Sequence, residues 1–139
     1  MIKNLNGLDL DAREKHKEAK IINDTELSKK NKELILRYLR ESRLGKTIKK
    51  GQKKIIGPGR NLQAMGMLNL MCKDWFKKDL DKVTDKDMET FILKLDQGKI
   101  LSKLNKPYGQ ETKSNIKKFI RKFYKWFYGD GYNYPGLVD

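Results

Sequence analysis

The sequence has a single cysteine, a single histidine and no apolar run long enough to cross a membrane. One cysteine, Cys72, excludes a disulfide framework within the chain and favours a reducing compartment. One histidine, His16, leaves no Cys/His zinc spacing and no Ser/His/Asp set. A membrane span needs about 18 apolar residues or more, and the N-terminus lacks the apolar stretch of a signal peptide. The sequence therefore predicts a soluble, cytoplasmic protein without a metal, a cofactor or a small-molecule substrate.

Acidic residues are also in deficit. The 139-residue chain has 32 Lys and Arg against 18 Asp and Glu, which gives a formal net charge of +14. A surplus of this size attracts polyanions such as DNA, RNA or an anionic membrane surface. A Lys-rich, merely solvated surface is the alternative. Hydrophobic residues make up 37% of the chain, which at this length allows one domain with its own core.

Apolar residues recur at helical spacing in four segments, and strand-like alternation is scarce, so the sequence predicts an all-α fold. The first helix is expected to begin after the N-cap Ser28 and to end near Gly45. The second is expected over about residues 61–76. The third follows the N-cap Thr84, with acids in its first turn that suit the helix dipole. The fourth is expected over about residues 110–128.

The first 25 residues have a weaker pattern. The apolar stripe between about Leu8 and Ile22 is faint, so we expect a polar, partly frayed N-terminal arm that could include a short helix. The domain itself is then expected over residues 26–139.

The predicted fourth helix has two chemically distinct halves. At about 100° per residue, one half of the helical wheel holds only apolar and aromatic residues: Ile116, Phe119, Ile120, Phe123, Tyr124, Trp126 and Phe127. The other half holds cations and no acid: Lys117, Lys118, Arg121, Lys122 and Lys125. The aromatic half is expected to be core, because three other helices carry apolar stripes that need a partner. The cations form either a solvated face or a surface for nucleic acid, and a membrane-surface helix has the same pattern.

A second basic segment, "GKTIKKGQKKIIGPGR" at residues 45–60, also has no acid. Its glycines and Pro58 predict a loop. The end of this segment precedes a helix, whose free N–H groups favour phosphate, and an ordinary turn is the alternative.

Both basic segments are candidate contacts to DNA phosphates, which position a protein without reading sequence. The candidates in the connector are Lys46, Lys49, Lys50, Lys53, Lys54 and Arg60. The candidates in the fourth helix are Thr112, Lys113, Asn115, Lys117, Lys118, Arg121, Lys122 and Lys125. Base contacts could come from polar residues near helix starts, namely Asn61, Gln63, Thr112 or Asn115.

Two strings, "DLDKVTDKDMETFI" and "TKSNIKKFIRKFYKWF", have the order of an acidic turn before a helix and of a threonine before an amphipathic helix with paired aromatics. They resemble the N-terminal core-binding domain, also called SAM-like, of tyrosine recombinases of the phage integrase and archaeal type. The terminal "YPGLVD" resembles that family's exit into its catalytic domain. The resemblance covers about residues 26–139. It implies a compact four-helix SAM-like bundle, with a short N-terminal arm or an extra helix, that clamps one side of a DNA duplex.

The resemblance also implies that this chain is inactive alone. The family's Arg, His-x-x-Arg set and nucleophilic Tyr belong to a catalytic domain, which would follow Asp139 in a parent recombinase. The implied partners are double-stranded DNA and, on the DNA, other recombinase subunits. Two alternatives remain open: a stand-alone nucleic-acid-binding or regulatory protein without catalytic activity, and a membrane-surface or partner-binding protein that uses the cationic helix.

Overall fold

The computed structural model describes residues 5–44 and 58–129. Within these ranges it has five α-helices and no β-strand, with one isolated bridge between Leu101 and Pro107. The helices are α1 (Leu5–Ile22), α2 (Lys29–Arg43), α3 (Pro58–Leu70), α4 (Asp85–Asp96) and α5 (Gln110–Tyr128). The predicted all-α class is confirmed. The four predicted helices correspond to α2 to α5, and α1 is an additional helix.

The chain divides into two compact units, Met1–Asp74 and Trp75–Asp139. The first unit contains α1, α2 and α3, and the second contains α4 and α5. In the first unit, the Ser28 hydroxyl accepts a hydrogen bond from the Asn31 N–H at 3.0 Å and caps α2 as predicted. The buried apolar residues of this unit are Ile21, Leu27, Leu34, Ile35, Tyr38, Leu39, Ala64, Met65, Leu68, Met71 and Cys72.

The predicted helix over about 61–76 is divided into two parts. Its first part is α3, which begins at Pro58, where the fixed φ and missing N–H of proline suit the first helical position. A π-helical turn, Met71–Trp75, follows α3 directly. The wider turn changes the register of the side chains, and both Met71 and Cys72 are buried. Because of this register change, the apolar residues of the segment do not fit a single stripe at regular helical spacing.

α1 occupies most of the segment that we expected to be a polar arm. It is an 18-residue helix that contacts α2 and α3. Ile21 is buried, and so is Glu14, which is only 6% exposed. The Glu14 carboxylate accepts hydrogen bonds from Arg43 on α2 at 2.6 and 3.0 Å and from Asn61 on α3 at 3.1 Å. A helix that is held partly by a buried charge has only a weak apolar stripe, so the hydrophobic pattern predicted a shorter and less ordered helix than α1.

The second unit has an aromatic core. α4 buries four residues that recur at helical spacing, namely Met88, Phe91, Ile92 and Leu95. The ring of Phe91 lies 5.1 Å from the ring of Trp75 and 5.3 Å from the ring of Phe76, between ring centroids. These separations are typical of favourable aromatic pairs. The Leu80 side chain, in a short 3₁₀ turn (Leu80–Lys82), is also fully buried.

Thr84 caps α4 as predicted, and it does so within a reciprocal capping box with Asp87. The Thr84 hydroxyl accepts from the Asp87 N–H at 3.1 Å, and the Asp87 carboxylate accepts from the Thr84 N–H at 2.9 Å. Lys78 donates to the same carboxylate at 2.7 Å. The Lys78 ammonium, and then the Thr84 N–H, lower the pKa of Asp87 below its ordinary value of 3.8. The ionised carboxylate therefore stabilises the folded state.

We expect Asp87→Asn to lower the free energy of unfolding by about 0.3–1 kcal/mol near neutral pH, because the charge at the helix N-terminus is lost. The pKa of Asp87 is lowered in the folded state, so its stabilisation is complete above the ordinary value of 3.8 and is lost as the pH falls through the folded value. Urea unfolding of parent and variant at several pH values should show this difference shrinking in acid. Glu89→Gln, at an exposed position of the same helix, is the control. A difference that stays constant into strong acid would contradict the assignment.

Candidate nucleic-acid interface

α5 is an amphipathic helix whose apolar half is part of the core of the second unit. Four residues of the predicted apolar half are at most 1% exposed: Ile116, Ile120, Phe123 and Tyr124. The other three, Phe119, Trp126 and Phe127, are half-buried. The Tyr124 hydroxyl donates to the Leu80 carbonyl oxygen at 2.8 Å, which satisfies its buried polar group. The helix ends before Gly129, whose φ of 100° favours glycine.

Five cations of α5 lie on the opposite half of the helix, namely Lys117, Lys118, Arg121, Lys122 and Lys125, and a sixth, Lys113, lies in the first turn. Lys118 is exposed, and the others are half-buried: Lys113, Lys117, Arg121, Lys122 and Lys125. Half-burial is usual for long cationic side chains, because their methylene groups lie on apolar surface while the charged ends reach solvent. We call these six residues the cation row. From Lys113 to Lys125 the helix rises about 18 Å, a length over which duplex DNA carries about ten phosphate charges.

An acid of α4, Asp96, contacts the cation row. The Lys117 ammonium lies 2.7 Å from the Asp96 carboxylate, and Lys113 donates to the Asp96 backbone oxygen at 3.4 Å. The Lys117 and Asp96 side chains are 30% and 47% exposed, so this pair contributes only about 0–1 kcal/mol. A phosphate could replace Asp96 at little energetic cost. The sequence pattern, which shows no acid within the row, did not reveal this contact because it joins two helices.

Polar residues at the start of α5 are accessible. Thr112 and Asn115 are both exposed in its first two turns. The N-cap is Gly109, which makes no side-chain capping bond. Thr112 and Asn115 therefore remain candidates for DNA contact beside Lys113.

Most of the basic connector lies outside the described residues. This applies to Lys46, Lys49, Lys50, Lys53 and Lys54, so their contacts with DNA remain predictions. Arg60 is described, and it is exposed in the first turn of α3. The first unit thus presents at least one of the predicted cations to solvent.

Two residues near the start of α3 that were predicted as base contacts have different environments. Gln63 is exposed, whereas Asn61 is only 1% exposed. The Asn61 amide donates to Glu14 at 3.1 Å, and its oxygen accepts from the Ser42 hydroxyl at 3.1 Å. Asn61 is therefore part of the polar core of the first unit and cannot read a base from this position. Its buried role was not visible in the sequence, because Glu14 is distant along the chain.

Arg43 completes this polar core. It lies 2.8 Å from Glu18 as well as contacting Glu14. Hydrogen bonds that the Arg43 guanidinium donates to the Glu18 carboxylate, and then to that of Glu14, raise the pKa of Arg43. A network of satisfied polar groups specifies one arrangement of α1, α2 and α3. The network explains these residues without a role in binding.

Among residues 5–44 and 58–129, no cluster of three or more His, Cys, Asp or Glu side chains could hold a metal ion. In the same residues, no helix combines the length and the apolar character needed to cross a membrane. Cys72 is a buried free thiol and His16 is exposed on α1.

Comparison with protein-family models, with curated proteins and with solved structures gave no match to this chain.

Proposed function

We propose that this chain is a DNA-binding domain and that the cation row of α5 contacts the phosphates of duplex DNA. The supporting observation is the separation of the two halves of α5. Four residues of its apolar half are buried in the core, whereas its six cations are exposed or half-buried. A surface of this kind binds phosphate without reading sequence.

The burial of the apolar half favours DNA over a membrane as the partner. A membrane-surface helix binds by inserting its apolar face among the lipids. In α5 the central residues of that face, such as Ile120 and Phe123, are at most 1% exposed. Insertion would require the second unit to open, whereas contact between the cation row and phosphate requires no rearrangement of the core.

We further propose that the parent protein is a tyrosine recombinase, in which this domain clamps one side of the duplex while a catalytic domain occupies the other. The support is the resemblance of "DLDKVTDKDMETFI" and "TKSNIKKFIRKFYKWF" to the core-binding domains of that family. The coding sequence after Asp139 tests this part of the proposal. A following Arg, His-x-x-Arg set and Tyr would support it. A continuation without them would favour a regulatory DNA-binding protein with the same interface.

The double variant Lys118→Ala/Lys122→Ala tests the cation row. Both residues lie on the surface half of α5, so each change should alter the free energy of unfolding by no more than about 0.5 kcal/mol. Loss of two phosphate contacts should reduce the magnitude of the log–log salt slope of DNA binding by up to about 1.8. Affinity should fall by similar factors on unrelated sequences, because phosphate contacts carry no base information. Gel-shift titrations at several salt concentrations, beside a circular-dichroism melt, measure both effects.

The matched control is Lys86→Ala/Lys94→Ala, which removes two exposed lysines from α4 of the same unit. It changes the net charge by the same amount but leaves the cation row intact. Equal losses of affinity in the two double variants would show that only net charge matters. An intact melt with unchanged DNA binding in the α5 variant would contradict the proposed interface.

A further inference from the structure

Residues 98–109 join α4 to α5 as a short hairpin with a defined backbone. The Ser102 N–H donates to the Lys106 carbonyl oxygen at 2.9 Å, and the Asn105 N–H donates to the Ser102 carbonyl oxygen at 2.9 Å. The Ser102 hydroxyl accepts from the Leu104 N–H at 3.2 Å. Asn105 has a φ of 58°, in the left-handed region that asparagine tolerates. These contacts fix the direction of the hairpin tip.

The tip presents two leucines to solvent. Leu104 is 79% exposed and Leu101 is 48% exposed. A single exposed leucine is ordinary on a protein surface. Here the leucines are surrounded in sequence by three exposed lysines, Lys99, Lys103 and Lys106, and residues 97–110 contain no acid. The tip therefore combines an apolar projection with positive charge.

The charge indicates the kind of partner. A second copy of this chain carries the same net charge of +14, so it offers no general electrostatic attraction to this tip. A polyanion does. The contacts of Asp96 with Lys113 and Lys117 also hold the base of the hairpin against the first turns of α5. The hairpin therefore begins beside the first turns of α5, where Lys113 and Lys117 lie.

We propose that this hairpin enters the minor groove of duplex DNA and that Leu104 inserts between two base pairs as a wedge. Lys99, Lys103 and Lys106 would contact phosphates on either side. Leucine is one of the apolar residues that unstack base steps and kink the duplex when a protein binds the minor groove. Flexible pyrimidine–purine steps such as TA are deformed most easily, so they are the expected insertion sites. This inference rests on the proposed function, because it assumes that the cation row binds the same duplex.

The test uses the whole chain and a duplex of about 20 base pairs with repeated TA steps. Energy transfer between dyes at its two ends reports bending, and 2-aminopurine in place of adenine at a TA step reports unstacking. Wild-type protein should kink the duplex by about 20–90° and raise the 2-aminopurine fluorescence. Leu104→Ser and Leu104→Gln should lose both signals at saturating protein, whereas Leu104→Met should retain them. Leu93→Ser, at a 59% exposed leucine of α4, should behave as wild type.

The outcomes separate the two proposals. Absence of DNA binding by the wild-type chain overturns both. If the wild-type chain binds a duplex that stays straight and stacked, the wedge is overturned and the DNA-binding proposal stands. The same conclusion follows if the bend persists in the polar Leu104 variants. Vesicles of anionic phospholipid provide the remaining comparison. If the Leu104 variants lose vesicle binding while their DNA bend is unchanged, the hairpin is a membrane contact and the wedge is overturned.

Discussion

Phe123→Ala is expected to lower the free energy of unfolding by about 3–5 kcal/mol, the usual cost of emptying a buried phenylalanine site. The Phe123 side chain has no exposed surface. Its ring centroid lies 5.0 Å from that of Tyr124 and 5.5 Å from that of Trp126. Domains are stable by only about 5–15 kcal/mol, so this loss would remove much of the stability. Thermal melts followed by circular dichroism measure the change.

Phe127→Ala, one turn further along α5, is the comparison for this prediction. Phe127 stacks on Phe123 at 6.4 Å but is only half-buried. Less apolar surface is lost from the core when it is removed, so a smaller loss of stability is expected. Coincident melts of Phe123→Ala and its parent would mean that the aromatic half of α5 is not core, and the membrane hypothesis would then gain support.

The sequence predicted best those features that depend on residues close together in the chain. The capping of α2 by Ser28 and of α4 by Thr84 involves partners within one helical turn, and both are present in the structure. The burial of Ile116, Ile120 and Phe123 follows from helical periodicity alone. Such features depend on local geometry, which does not change with the rest of the fold.

Features that depend on distant partners were not predictable in the same way. Glu14 of α1 is buried because Arg43 and Asn61 reach it from two other helices. Asp96 contacts Lys117 across 21 residues of sequence. The charges near Glu14 and Asp96 in the sequence do not show which distant residue each carboxylate contacts in the folded chain. The same reasoning explains why Asn61, a polar residue near a helix start, was mistaken for a candidate DNA contact.

The two halves of α5 divide stability and binding between different residues. Core contacts such as those of Phe123 hold the helix in place, and that position presents the cations as a fixed surface. Changes on the apolar half should therefore alter the melting temperature without a specific effect on DNA binding. Changes on the cationic half should weaken DNA binding and leave the melting temperature unchanged. This separation makes the binding hypothesis testable without confusion from unfolding.

The affinity of the isolated chain for duplex DNA is expected to fall about 500-fold between about 50 and 200 mM salt. The cation row has six members, and about five phosphate contacts are expected from the domain. Each contact releases counterions from DNA and contributes about −0.9 to the log–log slope, which gives a slope of about −4.5. Fluorescence anisotropy with a labelled duplex measures the dissociation constant across this range.

Asp96→Asn refines the same measurement, because it removes the acid that competes with DNA for Lys117. The variant should bind DNA more tightly than the parent at low salt. If Lys117 then contributes a sixth contact, the log–log salt slope of the variant should steepen by up to about 0.9.

The exposed acid Glu89 of the same helix provides the matched control, since Glu89→Gln removes one negative charge without freeing a member of the cation row. Binding that is absent at low salt, or that does not depend on salt, would contradict the interface. Equal effects of Asp96→Asn and Glu89→Gln would show that the Asp96 contact does not limit the access of Lys117 to phosphate.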